Sequence, residues 1–294
     1  MNKRILALIA LFLVQLFYGL NYSFANDVID GGYIKPFGFI LLRLLGATTL
    51  FWIVGLFTPK QKIDKEDYLT FIIAAFFGMC LNMLSFFKGL EFTTPIHASV
   101  ISTITPIVVI VLSSIYLKER ITPLKILGII LGFTGAVILS AYGKPIHPAD
   151  NIILGNCLII LNATAFSVYL IIAKRLTGKY HPLTIIKWLF LLGLIMTTPF
   201  GLQEFNAVQW HTFSPYIAFS AFFVVVFATF GAYLLNILGL TQLKASTAGT
   251  FVYIQPVIAA IFALIIGSDT INIVKIITAI LIFMGVYLVT KKTE

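Results

Sequence analysis

FFKGLEFTTPIHASVISTITPIVVIVLSSIYLKER, residues 86–120, returns 150 positions later as NILGLTQLKASTAGTFVYIQPVIAAIFALIIGSDT, residues 236–270, without a gap. Gly89 and Leu90 fall on Gly239 and Leu240, Ala98 on Ala248, Ile104 on Ile254, Pro106 on Pro256 and Glu119 on Asp269. The register continues through Ile121 on Ile271, Lys125 on Lys275, Phe133 on Phe283 and Gly135 on Gly285. One offset held over this length predicts a duplicated unit. The prolines weigh most, because a proline in an apolar helix removes a backbone bond that its surroundings must compensate.

Working outward, apolar runs dominate the chain. Of 294 residues 60% are hydrophobic and 11% charged, with a mean hydropathy of +1.02, far from the roughly 25% charged of soluble domains. A helix needs about 20 apolar residues to cross a hydrocarbon core of about 30 Å. Ten such runs can be counted, near 4–25, 36–57, 68–90, 95–117, 121–142, 152–174, 182–202, 214–238, 246–267 and 271–290. The fold expected is an all-α integral membrane protein of ten transmembrane helices. The net charge of +9 comes from short basic clusters between apolar runs, which suits loops against anionic lipid and not nucleic acid. Cys80 and Cys157 each sit alone in an apolar run and read as packing residues.

Fourteen of the twenty lysines and arginines lie on one side if the amino terminus is inside: Lys3, Arg4, Lys60, Lys62, Lys65, Lys118, Arg120, Lys125, Lys174, Arg175, Lys179, Lys244, Lys291 and Lys292. Both termini are therefore expected in the cytoplasm. The first run has features of a cleavable leader, with Lys3 and Arg4 ahead of it and Ser23 and Ala25 after. A shift of 147, however, lays Gln15 on Asn162 and Tyr22 on Tyr169, and a discarded leader has no reason to mirror a later helix. Five runs per copy is an odd number, so the second copy enters the membrane inverted. The expected units are residues 1–143 and 152–292. Inverted repeats of this kind suit a carrier whose halves exchange conformations about a central site.

The stretch GLEFTTPIHASVISTITPIVVIVLSSIYLKERITPLKILGIILGFTGAVIL strongly resembles the half-repeat of EamA-type permeases of the drug/metabolite transporter superfamily. Shared features are the glycine-leucine pair, the proline of the fourth helix, LKER and the spaced glycines. Arg43 in the second run is similar to the arginine of that family's second helix. The resemblance implies ten helices, cytoplasmic termini in the cell membrane, and export of a small metabolite such as an amino acid or related compound. The second copy departs from it, with GSDT where the first has LKER.

A carrier site should be polar groups turned inward at mid-membrane depth. Gln15, Tyr18 and Tyr22 share one face of the first run; Asn162, Phe166 and Tyr169 repeat this in the sixth. Asn82, Tyr233, Asn236, Ser99, Thr103, Thr250 and Tyr253 extend the set. The proposed substrate-binding residues are Gln15, Tyr18, Tyr22, Asn82, Thr103, Asn162, Tyr169, Tyr233, Asn236 and Tyr253, a lining suited to an amphipathic molecule. The alternative for each is an ordinary interhelical hydrogen bond. Pro106 and Pro256 are expected to leave the Ser102 and Val252 carbonyls without amide donors, either facing the cavity or forming bends. Gly128, Gly132 and Gly135 would allow close helix packing or a homodimer contact.

All eleven carboxylates are expected in loops or at run ends, which argues against a central proton-carrying glutamate. Arg43, Lys88, His97 and Lys187 are the ionisable groups inside runs, read as nearer ends than centres. Neither HExxH nor Gly-x-Ser-x-Gly nor an intramembrane aspartate pair occurs, so no enzyme is expected. The partners expected are a small-molecule substrate and the lipid bilayer, with no cofactor or metal, as a monomer or weak homodimer. A flippase for lipid-linked substrates, or a non-transport membrane protein, is the alternative.

Overall fold

The computed structural model describes residues 3–29, 31–58, 61–93, 98, 101–142, 151–265 and 272–291, apart from the side chains of residues 22, 26, 140 and 263. Every regular element among these residues is helical. We number the helices α1 (Lys3–Ile29), α2 (Pro36–Gly55), α3 (Lys65–Phe92), α4 (Thr105–Tyr116), α5 (Pro123–Ala141), α6 (Ile152–Leu176), α7 (Pro182–Asn206) and α8 (Pro215–Gln242). Helix α9 comprises Ala245–Thr250, a 3-10 segment Phe251–Ile254, and Gln255–Ile265; α10 is Ile273–Thr290. Among the described residues eight helices are long and apolar enough to cross a membrane, and α4 and Pro123–Leu139 of α5 are apolar but shorter. The protein is a multi-pass helical membrane protein.

Helix starts follow local chemistry. Pro36, Pro123, Pro182 and Pro215 each occupy the first turn, where a missing N–H is no loss. Thr122, Asn151, Ser214 and Asn272 accept the amides of Lys125, Leu154, Ile217 and Lys275, satisfying donors that the helix cannot. At α2 the carboxylate of Glu204, from the end of α7, accepts the Phe37 and Gly38 amides at 2.8 and 2.9 Å.

Inside a bilayer apolar burial does not favour helix association over lipid, so close packing at small residues must. A Cβ on Gly128 would stand 2.6 Å from the Gly285 carbonyl oxygen, and one on Gly135 2.8 Å from that of Thr278. Gly128 and Thr278, and Gly135 and Gly285, are pairs at the 150-residue offset, so the two contacts exchange with each other. Likewise Gly89 of α3 packs on α6 through Ile159, while Gly239 of α8 packs on α1 through Leu11. The principal helix contacts are α5 with α10, α2 with α7, α3 with α6 and α7, α8 with α1 and α2, α4 with α6 and α9, and α9 with α1. Replacing each helix by the one five places along returns the same set. The glycines of α5 are thus taken up by contacts within the chain: Gly128 and Gly135 face α10, and Gly132 faces Tyr253.

Two sequence expectations change. Thr103 and Ile104 form a turn, and α4 begins only at Thr105, which puts Pro106 in its first turn; Pro256 is the second residue of its segment, directly after the 3-10 segment. The Ser102 carbonyl accepts from the Thr105 hydroxyl at 2.8 Å, and that of Val252 accepts from the Gln255 amide. Neither carbonyl is left free, because the helix restarts at Thr105 ahead of Pro106 and tightens to a 3-10 turn ahead of Pro256. Arg43 is also deeper than expected, being the eighth of twenty residues of α2. His97, Ser99 and Asp269 lie outside the described residues.

Candidate functional site

In the middle of α3 and of α8 the helix widens into a π segment, Phe76–Leu81 and Val226–Gly231, again 150 residues apart. Such turns leave a carbonyl without its usual partner and reset the direction of side chains. In α8 the Val224 carbonyl accepts from the Thr229 hydroxyl at 2.7 Å. That hydroxyl in turn accepts from Nε of Arg43 at 3.0 Å. The π segment therefore presents an acceptor to α2, and Arg43, only 7% exposed, is held at the centre of the bundle.

Around this pair the structure gathers aromatic side chains from α1, α6, α7 and α8. The Tyr233 ring centroid is 5.0 Å from Phe190, 6.1 Å from Tyr169 and 6.4 Å from Tyr18. Edge-to-face geometry prevails, 84° with Phe190 and 82° with Tyr18, as ring quadrupoles favour. Arg43 lies within electrostatic range of the Tyr18 and Tyr233 hydroxyls. Tyr169 is fully buried against Gly78 of the α3 π segment, and its hydroxyl has no hydrogen-bond partner. A buried hydroxyl without a partner costs about 1–3 kcal/mol, a cost that a hydrogen-bonding group beside it would relieve.

A second polar contact joins α1 to α9: the amide Nε2 of Gln255 donates to Oε1 of the buried Gln15 at 2.7 Å. The Asn82 amide donates to the Asn162 carbonyl at 3.3 Å and the Asn162 amide to the Asn82 carbonyl at 2.8 Å, a reciprocal bond between α3 and α6. Tyr253 packs on Gly132 of α5, apart from the tyrosine cluster, with its hydroxyl unpartnered. Asn236 is buried on α8 with Oδ1 unpartnered; Thr103 is buried at the break before α4. The side chain of Tyr22 lies outside the described residues.

Sequence reasoning thus named Tyr18, Tyr169 and Tyr233 of the cluster and Gln15 of the amide pair. It left out Thr229, Phe190 and Gln255, and Arg43 was named without a site role. The signals for Thr229 and Gln255 were present, as isolated polar residues in apolar runs. Phe190 carries none among 27 phenylalanines.

At one end of the bundle the basic loops are tied by carboxylates. Glu119 accepts the Ala245 amide at 2.9 Å and the Ser246 hydroxyl at 2.5 Å, capping α9, and pairs with the buried Lys125 at 4.0 Å. Lys179 bridges Asp64 and Asp67 at 2.6 and 2.5 Å. Their carboxylates push the exposed Lys179 ammonium above its ordinary value. Arg4 donates to the Thr290 carbonyl at 2.5 Å, joining the start of α1 to the end of α10.

A buried polar and aromatic centre within a bundle of apolar helices defines a membrane protein built to pass or hold a small molecule. The chain belongs to the EamA-like transporter family, whose sequence model matches residues 5–141 and again 153–291, and so falls among membrane transporters. It is 27% identical over 284 residues to an uncharacterized transporter of Archaeoglobus fulgidus, covering 97% of this chain and 98% of that one. With the uncharacterized transporter YyaM of Bacillus subtilis it shares 25% identity over 283 residues, 92% and 89% of the two chains. A solved structure, described only as the crystal structure of a protein, has the same fold with a TM-score of 0.81 at 16% identity, over 97% of this chain and 95% of that chain.

Proposed function

We propose that the protein is a ten-helix permease of two inverted five-helix repeats, residues 1–143 and 152–292, that moves a small amphipathic metabolite by alternating access. The cargo class is an amino acid or a related compound, exported across the cell membrane. The observation that carries this reading is the cluster of the buried Tyr169, Tyr233 and Arg43 with the partly buried Tyr18, where α1, α2, α6 and α8 meet. Such a cluster can stack on an apolar body and hydrogen-bond a polar one.

Support for the inverted repeat comes from the contact set that is unchanged when each helix is replaced by its counterpart, and from the exchanged glycine contacts of α5 and α10. Two π segments at equivalent depth give each half a deformable turn facing the centre. The termini are assigned to the cytoplasm because Arg4, Lys125, Lys174 and Lys179 gather at the end where α1 begins and α10 finishes.

The flippase alternative draws on one feature. A groove of about 360 Å³ between α1, α9 and α10, walled by Ile9, Phe12, Phe251, Phe283 and Tyr287, would let an acyl chain enter sideways from lipid. Proteoliposomes separate the readings. A permease gives protein-dependent, saturable exchange of a water-soluble solute, and cells lacking the protein retain that solute. A flippase instead moves a labelled lipid between leaflets and leaves soluble solutes alone. Uptake linear in concentration for every solute would count against a carrier.

A further inference from the structure

Among the described residues two cations, Arg43 and Lys125, are buried within helices and a third, Lys174, is half-buried, and the chain treats Arg43 differently. Lys125 is balanced by Glu119 at 4.0 Å and held by the Ser246 hydroxyl at 3.0 Å. Lys174 donates to the Leu240 carbonyl at 2.6 Å, with Glu119 again in electrostatic range. No carboxylate among the described residues pairs with Arg43. Among the described residues its one hydrogen-bond partner is the neutral Thr229 hydroxyl, and its electrostatic neighbours are the Tyr18 and Tyr233 hydroxyls. An arginine stays protonated in proteins and carries five N–H donors in a planar fork. One donor is used here, and with the Tyr18 and Tyr233 hydroxyls as its electrostatic neighbours the charge meets no anion among the described residues. Burying a lone cation is costly unless an anion joins it.

We propose that this anion is the cargo: Arg43 receives the carboxylate of the transported solute, and the carrier selects small organic acids whose apolar part lies against Tyr18, Tyr169, Tyr233 and Phe190. The inference rests on the carrier reading above. The fork of a guanidinium matches a carboxylate with two parallel hydrogen bonds, and the unpartnered Tyr169 hydroxyl is a further donor on the same wall. No described carboxylate faces this centre to take an ammonium group. A deaminated acid is therefore carried at least as well as the corresponding amino acid, and an amine is not carried.

The test uses the full-length protein in phosphatidylcholine liposomes, with protein-free vesicles subtracted, and four probes of one shape: phenylpropionate, its amide, phenylalanine and phenethylamine. Phenylpropionate is expected to show saturable uptake with kcat/KM about 30-fold above the amide, phenylalanine no better than the acid, and phenethylamine none. Arg43→Lys, which keeps the charge but not the fork, raises KM for the acid and retains its preference over the amide. Arg43→Gln abolishes that preference while the elution profile of the purified protein stays unchanged. The wild-type acid-to-amide ratio needs no variant, so a misfolded substitution does not rescue the idea. The proposal is overturned if the acid shows no protein-dependent uptake, if the amide or amine matches it, or if Arg43→Gln keeps the preference. Saturable uptake of another probe would then leave the carrier reading standing; linear uptake of every probe removes that reading as well.

Discussion

The ring of Tyr169 lies in the hollow left by Gly78: a Cβ on Gly78 would stand 2.5 Å from Cδ2 of Tyr169. Gly78 belongs to the π segment of α3 and Tyr169 to α6, so the widened turn and the aromatic centre fit each other. Gly78→Ala should push the ring toward Tyr233 and destabilise the protein by about 1–3 kcal/mol, the usual cost of overpacking. Thermal unfolding in detergent measures this. Tyr169→Leu in the same chain should recover most of the stability and not the transport.

Asn82 and Asn162 predict the opposite split. Each amide is bonded to the other's main chain, and such interhelical bonds contribute about 0.6 kcal/mol in membranes. Asn82→Ala or Asn162→Ala should lower the melting temperature slightly and leave KM for any solute within about twofold, since an effect of that size is under 0.5 kcal/mol. A KM raised tenfold or more would return both residues to the binding surface.

Glu119 holds the start of α9 and balances Lys125. Glu119→Gln keeps the size but removes the charge, leaving a buried ammonium with only Ser246, and should cost about 2–3 kcal/mol. Glu119→Gln with Lys125→Met should recover part of this, because both charges then leave together. A denaturation series on the single and double variants decides it.

Pro106 sits in the first turn of a helix that restarts after a break, and Pro256 directly follows the 3-10 turn within α9. Pro106→Ala should therefore change stability by less than about 1 kcal/mol, unlike removal of a proline that bends a continuous helix. A large gain in stability on this substitution would restore the picture of a strained kink.

Composition and the repeat made the class of fold legible: long apolar runs must be helical in lipid, and Pro106 and Pro256 marked the irregular points of each half. What the prolines do there was not legible, because their effect depends on whether the helix continues or restarts, and Thr105 and Gln255 supply the hydrogen bonds that decide this. The π segments left no trace in the sequence. They arise from tertiary fits, Tyr169 against Gly78 and Thr229 bonded to both Val224 and Arg43. Of the site, Tyr18 and Tyr169 were visible from helical spacing and Tyr233 as a polar residue in an apolar run. Arg43 was visible as a residue but misjudged in depth, although the apolar run begins at Pro36 as α2 does and already made it the eighth residue. Asn82 and Asn162 were visible as amides in apolar runs, but their reciprocal bonds to each other's main chain were not.

The central claim is that the tyrosine cluster is reached from either side of the membrane in turn. The direct measurement places one cysteine there, Tyr233→Cys in a Cys80→Ser and Cys157→Ser background, and follows its reaction with an impermeant thiol reagent from each face of sealed vesicles. Alternating access predicts reaction from both faces, with a saturating transported solute slowing both. Reaction from one face only, or from neither, would contradict the account.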